Sequence, residues 1–140
     1  MVDRARLAKY IQDLEEYLKH LAELRKHPVE EFLSDWRIYD LADRQLHLAL
    51  ETFLTIGEMI ISEFGYAKPD TYADIPRILF DNGVISKQLR DKLVDLARFR
   101  NVLAHDYLRI DHERVYQHVK TDAEIVQEFI DAIKKFVATR

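Results

Sequence analysis

Leu89-Arg90-Asp91-Lys92-Leu93-Val94-Asp95-Leu96-Ala97-Arg98-Phe99-Arg100-Asn101-Val102-Leu103 sets leucines at alternating steps of four and three, with Arg100 standing where the next seam residue belongs. That spacing predicts an α-helix with one apolar seam laid along a partner. The same period recurs on both sides of it. Leu7, Ile11, Leu14, Leu18 and Leu21 form one seam, and Leu46, Leu50, Phe53, Ile60 and Phe64 another, with Gly57 at the position where a neighbouring backbone can come close. Val115, Val119, Val126, Ile130, Ile133 and Val137 line the last. No strand-like alternation and no internal repeat interrupts them.

Stop and start signals divide the pattern. His27-Pro28 ends the first helix, because the residue before proline is pushed out of the α region. A second helical pattern runs from Val29 to Phe64, with a bend or restart at Ser34-Asp35, where either side chain can cap. After a break at Gly65–Pro69, Thr71-x-x-Asp74 resembles a capping box and Pro76 suits a first turn. Asn82-Gly83 is a left-handed stop, Ser86 caps the next long helix, and Asp111 caps the last. The expected fold is all-α: an up-and-down four-helix bundle with one additional short helix, residues 1–140 forming a single domain.

Composition removes several classes of function. The chain has no cysteine, so it has no disulfide framework, thiolate metal site or cysteine nucleophile, which fits a cytoplasmic protein. The charged N-terminus carries no secretory signal, and no apolar run approaches the roughly 20 residues that span a bilayer. A net charge of −4 argues against indiscriminate nucleic-acid binding. The charge is uneven, however. Between Lys87 and Arg114, seven basic residues face five acidic ones, a local excess of two.

Within that basic stretch, Arg100, His105 and Tyr107 fall inside eight residues at the end of an apolar helix. Arginine reads phosphate through a planar fork of donors, and histidine exchanges protons near neutral pH. An arginine on a seam must be paired or must face a cleft, since burying an unpaired charge is costly. At ~100° per residue, His105 lies ~140° around the helix from Arg100. Either the helix ends or turns near Ala104, or two subunits contribute to one site. On the middle helix, Arg44, His47, Glu51, Thr55, Glu58 and Ser62 share an arc of ~80°, whose alternating charges can hold Arg100 or a substrate. Asp43, His47 and Glu51 lie at i, i+4 and i+8, but no Glu-x-x-His pair occurs, so no metal site is expected. His20, His27, His112 and His118 are scattered singly and are expected on the surface. Glycine-rich phosphate loops, Gly-x-Ser-x-Gly elbows and His-Glu-x-x-His are absent.

Arg100-x4-His105-x-Tyr107, led by Phe99 and followed by Asn101 after the arginine, resembles the signature of HEPN domains, and specifically of HepT toxins. Asp43-Arg44-Gln45-Leu46-His47-Leu48-Ala49-Leu50-Glu51 with Ile56-Gly57 resembles that family's middle helix. Tyr72-Ala73-Asp74-Ile75-Pro76-Arg77-Ile78-Leu79 with Asn82-Gly83-Val84-Ile85 resembles its short helix and turn. The similarity covers essentially the whole chain. It implies a HEPN-like helical bundle that forms a homodimer with the two motifs across a cleft. It also implies the toxin of a type VII HepT/MntA toxin–antitoxin system: a metal-independent endoribonuclease with no cofactor. On this resemblance His105 is the general acid/base, Arg100 holds the scissile phosphate, and Asn101 positions the motif. Tyr107 orients substrate and is the site to which an MntA-like nucleotidyltransferase antitoxin transfers AMP. Arg44 and Glu51 enter as cleft residues. The expected partners are RNA, transfer or messenger, and the antitoxin. A non-catalytic HEPN module that binds a nucleotide or substrate for a nucleotidyltransferase is the alternative; such modules generally lack the full Arg/His/Tyr set.

Overall fold

Asp3 opens the first helix by accepting a hydrogen bond from the Arg6 amide, and α1 then runs Arg4–Leu24. The structure, a computed structural model, describes residues 3–105 and 111–140, with His105 described in its backbone alone. Pro28, at ψ 156°, separates α1 from α2, Val29–Ser34. The single pattern expected over Val29 to Phe64 is in fact two helices. Asp35 leaves the helical region (φ −110°, ψ 105°) and its carboxylate accepts from the Arg37 amide, starting α3, Trp36–Glu63. A free carboxylate that satisfies an orphan amide makes a restart cheaper here than continuing the helix. Among the described residues the bundle therefore carries two short helices, not one.

The other boundaries follow their signals. α3 ends with Gly65 at φ 67°, the Tyr66 amide reaching back to the Ile61 carbonyl at 3.0 Å. α4, Asp74–Asp81, ends the same way. Gly83 sits at φ 76°, and the Val84 and Gly83 amides bond the Leu79 and Phe80 carbonyls at 2.9 and 3.0 Å. Both are Schellman stops, in which glycine tolerates the left-handed residue. The Ser86 hydroxyl accepts from the Leu89 amide at 3.1 Å ahead of α5, Lys87–His105. The Asp111 carboxylate accepts from the Glu113 and Arg114 amides to open α6, His112–Ala138.

α1 lies along α3 and α6, α3 along α5 and α6, and α4 rests across α3 and α5. The seam residues meet in one buried cluster to which all six helices contribute. Phe53 and Phe129 pack edge to face at its centre. Burying each such side chain stabilises by about 1.5–3 kcal/mol. Among the described residues no helix is long and apolar enough to cross a membrane.

Gly57 does admit a close neighbour, though the neighbour is a side chain and not the backbone expected. A Cβ there would overlap the Cγ2 of Ile75, itself buried. The missing side chain thus lets the first turn of α4 seat against α3. This seating fixes what lies just before α4, including Tyr72.

Candidate functional site

Arg100 occupies its seam position on α5 with a side chain only 12% exposed, and its Nε donates to Glu51 Oε2 of α3 at 2.7 Å. A charge-assisted bond of that length outweighs a neutral one, and it answers the burial problem posed by an arginine on an apolar seam. The bond raises the Arg100 pKa further above its already high ordinary value, burial opposing it. The guanidinium carbon also lies 4.5 Å from the centre of the Tyr72 ring, a cation–π distance. Among the described residues, its remaining side-chain bond is a long one, from Nη1 to Asn101 Oδ1 at 3.4 Å. Glu51 is shared: His47 Nε2 stands 3.7 Å from the same Oε2, too far for a hydrogen bond but close enough for charge to matter.

Three segments therefore converge on one guanidinium: α3 through Glu51, the turn before α4 through Tyr72, and α5 itself. The expected cleft residue Glu51 stands against Arg100. Arg44 is exposed on α3, and no described contact joins it to Arg100. Asn101 is exposed next to Arg100. Tyr107 lies outside the described residues. α5 is helical through His105, the last residue described before 111.

Around this centre the structure departs from three histidine expectations. His118 is not a surface residue. Its Nδ1 and Asp122 Oδ2 are 2.8 Å apart, Asp122 is 1% exposed, and the imidazole lies flat on Phe99, 3.6 Å between centroids and 6° between planes. Burial pushes the Asp122 carboxyl above the usual range, while hydrogen bonds from His118 and Thr121 pull it back. Arg114 stands over the same Phe99 ring at 4.9 Å, so α6 grips α5 one residue before Arg100. His112 is likewise half-buried, stacked on Tyr39 at 3.9 Å, with its Nδ1 3.7 Å from Asp43 Oδ2. Burial raises the Asp43 pKa to about 6, with His112 opposing and Asp40 adding to the rise. His20 is exposed as expected, bonded to Gln45, while His27 is half-buried like His112 and is held by Glu31.

The basic excess is partly spent inside the fold: Arg90 pairs with Asp91 and lies over Phe80. No group of three or more metal-ligating side chains occurs among the described residues. Tyr72 is the site residue that sequence reasoning missed. Its signals were its place inside the capping box and in the short-helix block, which predict where its backbone is held and not what its ring touches. The His118–Asp122 pair was legible as i, i+4 neighbours on one helix, but which neighbour buries it was not.

The HepT-like ribonuclease profile matches residues 7–133. The putative RNase YutE of Bacillus subtilis is 31% identical over 109 residues, 76% of each chain. The structure of YutE, described as a cytosolic protein, superposes with a TM-score of 0.83 at 28% identity, covering 99% of this chain and 92% of that one. The mRNA nuclease HepT of Shewanella oneidensis is 27% identical over 104 residues, covering 74% of this chain and 78% of that one. The tri-AMPylated HEPN toxin of that organism, in complex with its MNT antitoxin, shares the fold with a TM-score of 0.83 at 23% identity, over 92% and 96% of the two chains. With the profile spanning nearly the whole bundle and the paired arginine inside it, this chain belongs to the HepT-like ribonuclease family of HEPN domains.

Proposed function

We propose that residues 1–140 form one HEPN-like domain that acts in the cytoplasm as the toxin of a type VII HepT/MntA pair. It is a metal-independent endoribonuclease, silenced when an MntA-like nucleotidyltransferase transfers AMP to Tyr107. The observation that carries this reading is Arg100: a largely buried guanidinium on an apolar seam, fixed by Glu51 through Nε, with its terminal nitrogens on the other side of the fork. A phosphodiester placed against those nitrogens gains two donors and a full positive charge for the oxygens that become more negative during attack.

The chemistry needs a proton moved as well as a charge met. His105 takes the proton of the 2′-hydroxyl as O2′ attacks phosphorus, the bond to the 5′-oxygen breaks, and that oxygen takes a proton from water, His105 later returning its own to solvent. A 2′,3′-cyclic phosphate and a 5′-hydroxyl result, so DNA is not a substrate. The site is built by a homodimer that brings the two Arg-x4-His segments, each carried by α5, together across a cleft. Asn101 positions the motif, and Arg44 and Glu51 belong to the cleft. AMP on Tyr107 would place bulk and negative charge where an anionic substrate binds.

The test is cleavage of transfer and messenger RNA in EDTA by protein made without antitoxin, its unmodified state checked by intact mass. Persistent cleavage that His105→Ala abolishes is the expected result. Failure of the unmodified protein to cut either RNA would overturn it in favour of the non-catalytic HEPN module, which nucleotide-binding measurements would then examine.

A further inference from the structure

Tyr72 has no part in the Arg-x4-His-x-Tyr motif, yet the local structure goes to some length to place it. The Asp74 carboxylate accepts from the Asp70 and Thr71 amides, both at 3.0 Å. The Asp74 amide in turn donates to the Thr71 hydroxyl at 3.3 Å and carbonyl at 3.1 Å. The Tyr72 carbonyl accepts from the Ile75 amide at 3.1 Å. The backbone on both sides of Tyr72 is thus tied down, and these bonds hold the Asp74 carboxyl below the usual carboxylate range. Ile75, the next residue in, is locked against Gly57. The aromatic ring is therefore delivered from a rigid turn to within 4.5 Å of the Arg100 guanidinium carbon, while Glu51 takes the Nε edge.

A guanidinium can be fixed by an aromatic ring beside it and by an acceptor at Nε without consuming its two terminal nitrogens. Here both are used, and among the described residues the terminal nitrogens carry only the long 3.4 Å bond from Nη1 to Asn101 Oδ1. A planar fork gains little from phosphate unless its plane is set in advance, because a misaimed donor costs rate steeply. We infer that Tyr72, acting with Glu51, is a positioning residue that sets the plane of Arg100 for a phosphodiester. This inference rests on the ribonuclease reading for its consequence and on the geometry alone for its existence, so the two can fail separately.

Two measurements on the full chain separate them. Nitrogen-15 NMR of Arg100 reads the clamp directly, whatever the protein does: the ring current of Tyr72 should move the Arg100 side-chain resonances. Tyr72→Phe should leave that shift in place and Tyr72→Leu should remove it, with circular dichroism confirming that both variants are folded. An Arg100 resonance indifferent to Tyr72→Leu would overturn the inference. RNA cleavage reads the consequence. Tyr72→Phe should stay within about twofold of the parent, since the phenol oxygen is not used, while Tyr72→Leu should lower kcat by about tenfold or more with KM changed less. Added guanidinium ion should restore part of the activity of Arg100→Gly but not of the Arg100→Gly/Tyr72→Leu double variant, which has no platform to hold it. Equal kcat in Tyr72→Leu and parent would refute the positioning role. Should the parent itself cut no RNA, the ribonuclease reading fails and the NMR result alone decides the clamp.

Discussion

Asp43 shows how a single buried carboxyl on α3 ties stability to pH. Its side chain is 17% exposed, and among the described residues Oδ1 finds no hydrogen-bond partner, nor does His112 Nδ1 opposite. Burial without a compensating bond disfavours the charged form, so the pKa rises to about 6 from the model-compound 3.8. The folded protein then holds this proton more tightly than the unfolded chain does. Stability from this group is complete below the ordinary aspartate range and falls as pH rises through about 6, by on the order of 2 kcal/mol after allowing for solvent screening. Asp43→Asn, neutral at every pH, should remove that slope and leave the variant more stable than the parent at pH 7. Urea midpoints at pH 4.5 and 7 would check it; parallel profiles for parent and variant would count against the argument. Asp122 stands in contrast. It is more deeply buried, and although His118 and Thr121 bond it, burial still holds its carboxyl above the usual range.

At the scale of elements, the short helix α4 matters more than its eight residues suggest. It seats on α3 through the contact of Ile75 with Gly57 and brings Tyr72 to α5. A β-branched side chain has little freedom to rotate away from an added Cβ. Gly57→Ala should therefore push α4 outward in spite of alanine's better helix propensity, which is worth about 1 kcal/mol. Overpacking of this kind costs about 1–3 kcal/mol, so the variant is expected to be less stable by about 1 kcal/mol, or equal at best. Thermal denaturation gives the sign. A rise in Tm would mean that α4 yields freely and does not anchor Tyr72. The helix stops at Gly65 and Gly83 were legible in advance because a left-handed residue after an apolar run is a local demand. The division of residues 29–64 into α2 and α3 was legible only as a choice between bend and restart. Asp35 decides it with a bond to its own neighbour, Arg37.

For the whole molecule, the course of α5 carries the strongest consequence. Under the proposed function two copies bring their Arg-x4-His segments, each carried by α5, to one cleft. The protein should sediment at about twice its 16.6 kDa mass. Mixing inactive Arg100→Ala with inactive His105→Ala protein, after subunit exchange, should restore measurable RNA cleavage through hybrid dimers that keep one intact pairing. A fully active monomer, or no recovery in a proven hybrid, would argue for a site complete within each chain.

The sequence by itself determined the helices, their seams and most of their ends. These depend on residues within a turn or two of each other, and periodicity, capping and left-handed glycine act over that range. It also singled out Arg100 as a charge in the wrong place, because a seam of leucines makes an arginine conspicuous. Only the tertiary structure decided what the arginine meets: Glu51 lies 49 positions away in the chain, and Tyr72 arrives from a turn that α4 holds. The burial of His118 and His112 was hidden for the same reason. Which face of a helix another helix covers depends on the joint packing of all six elements, a property that no window of neighbouring residues contains.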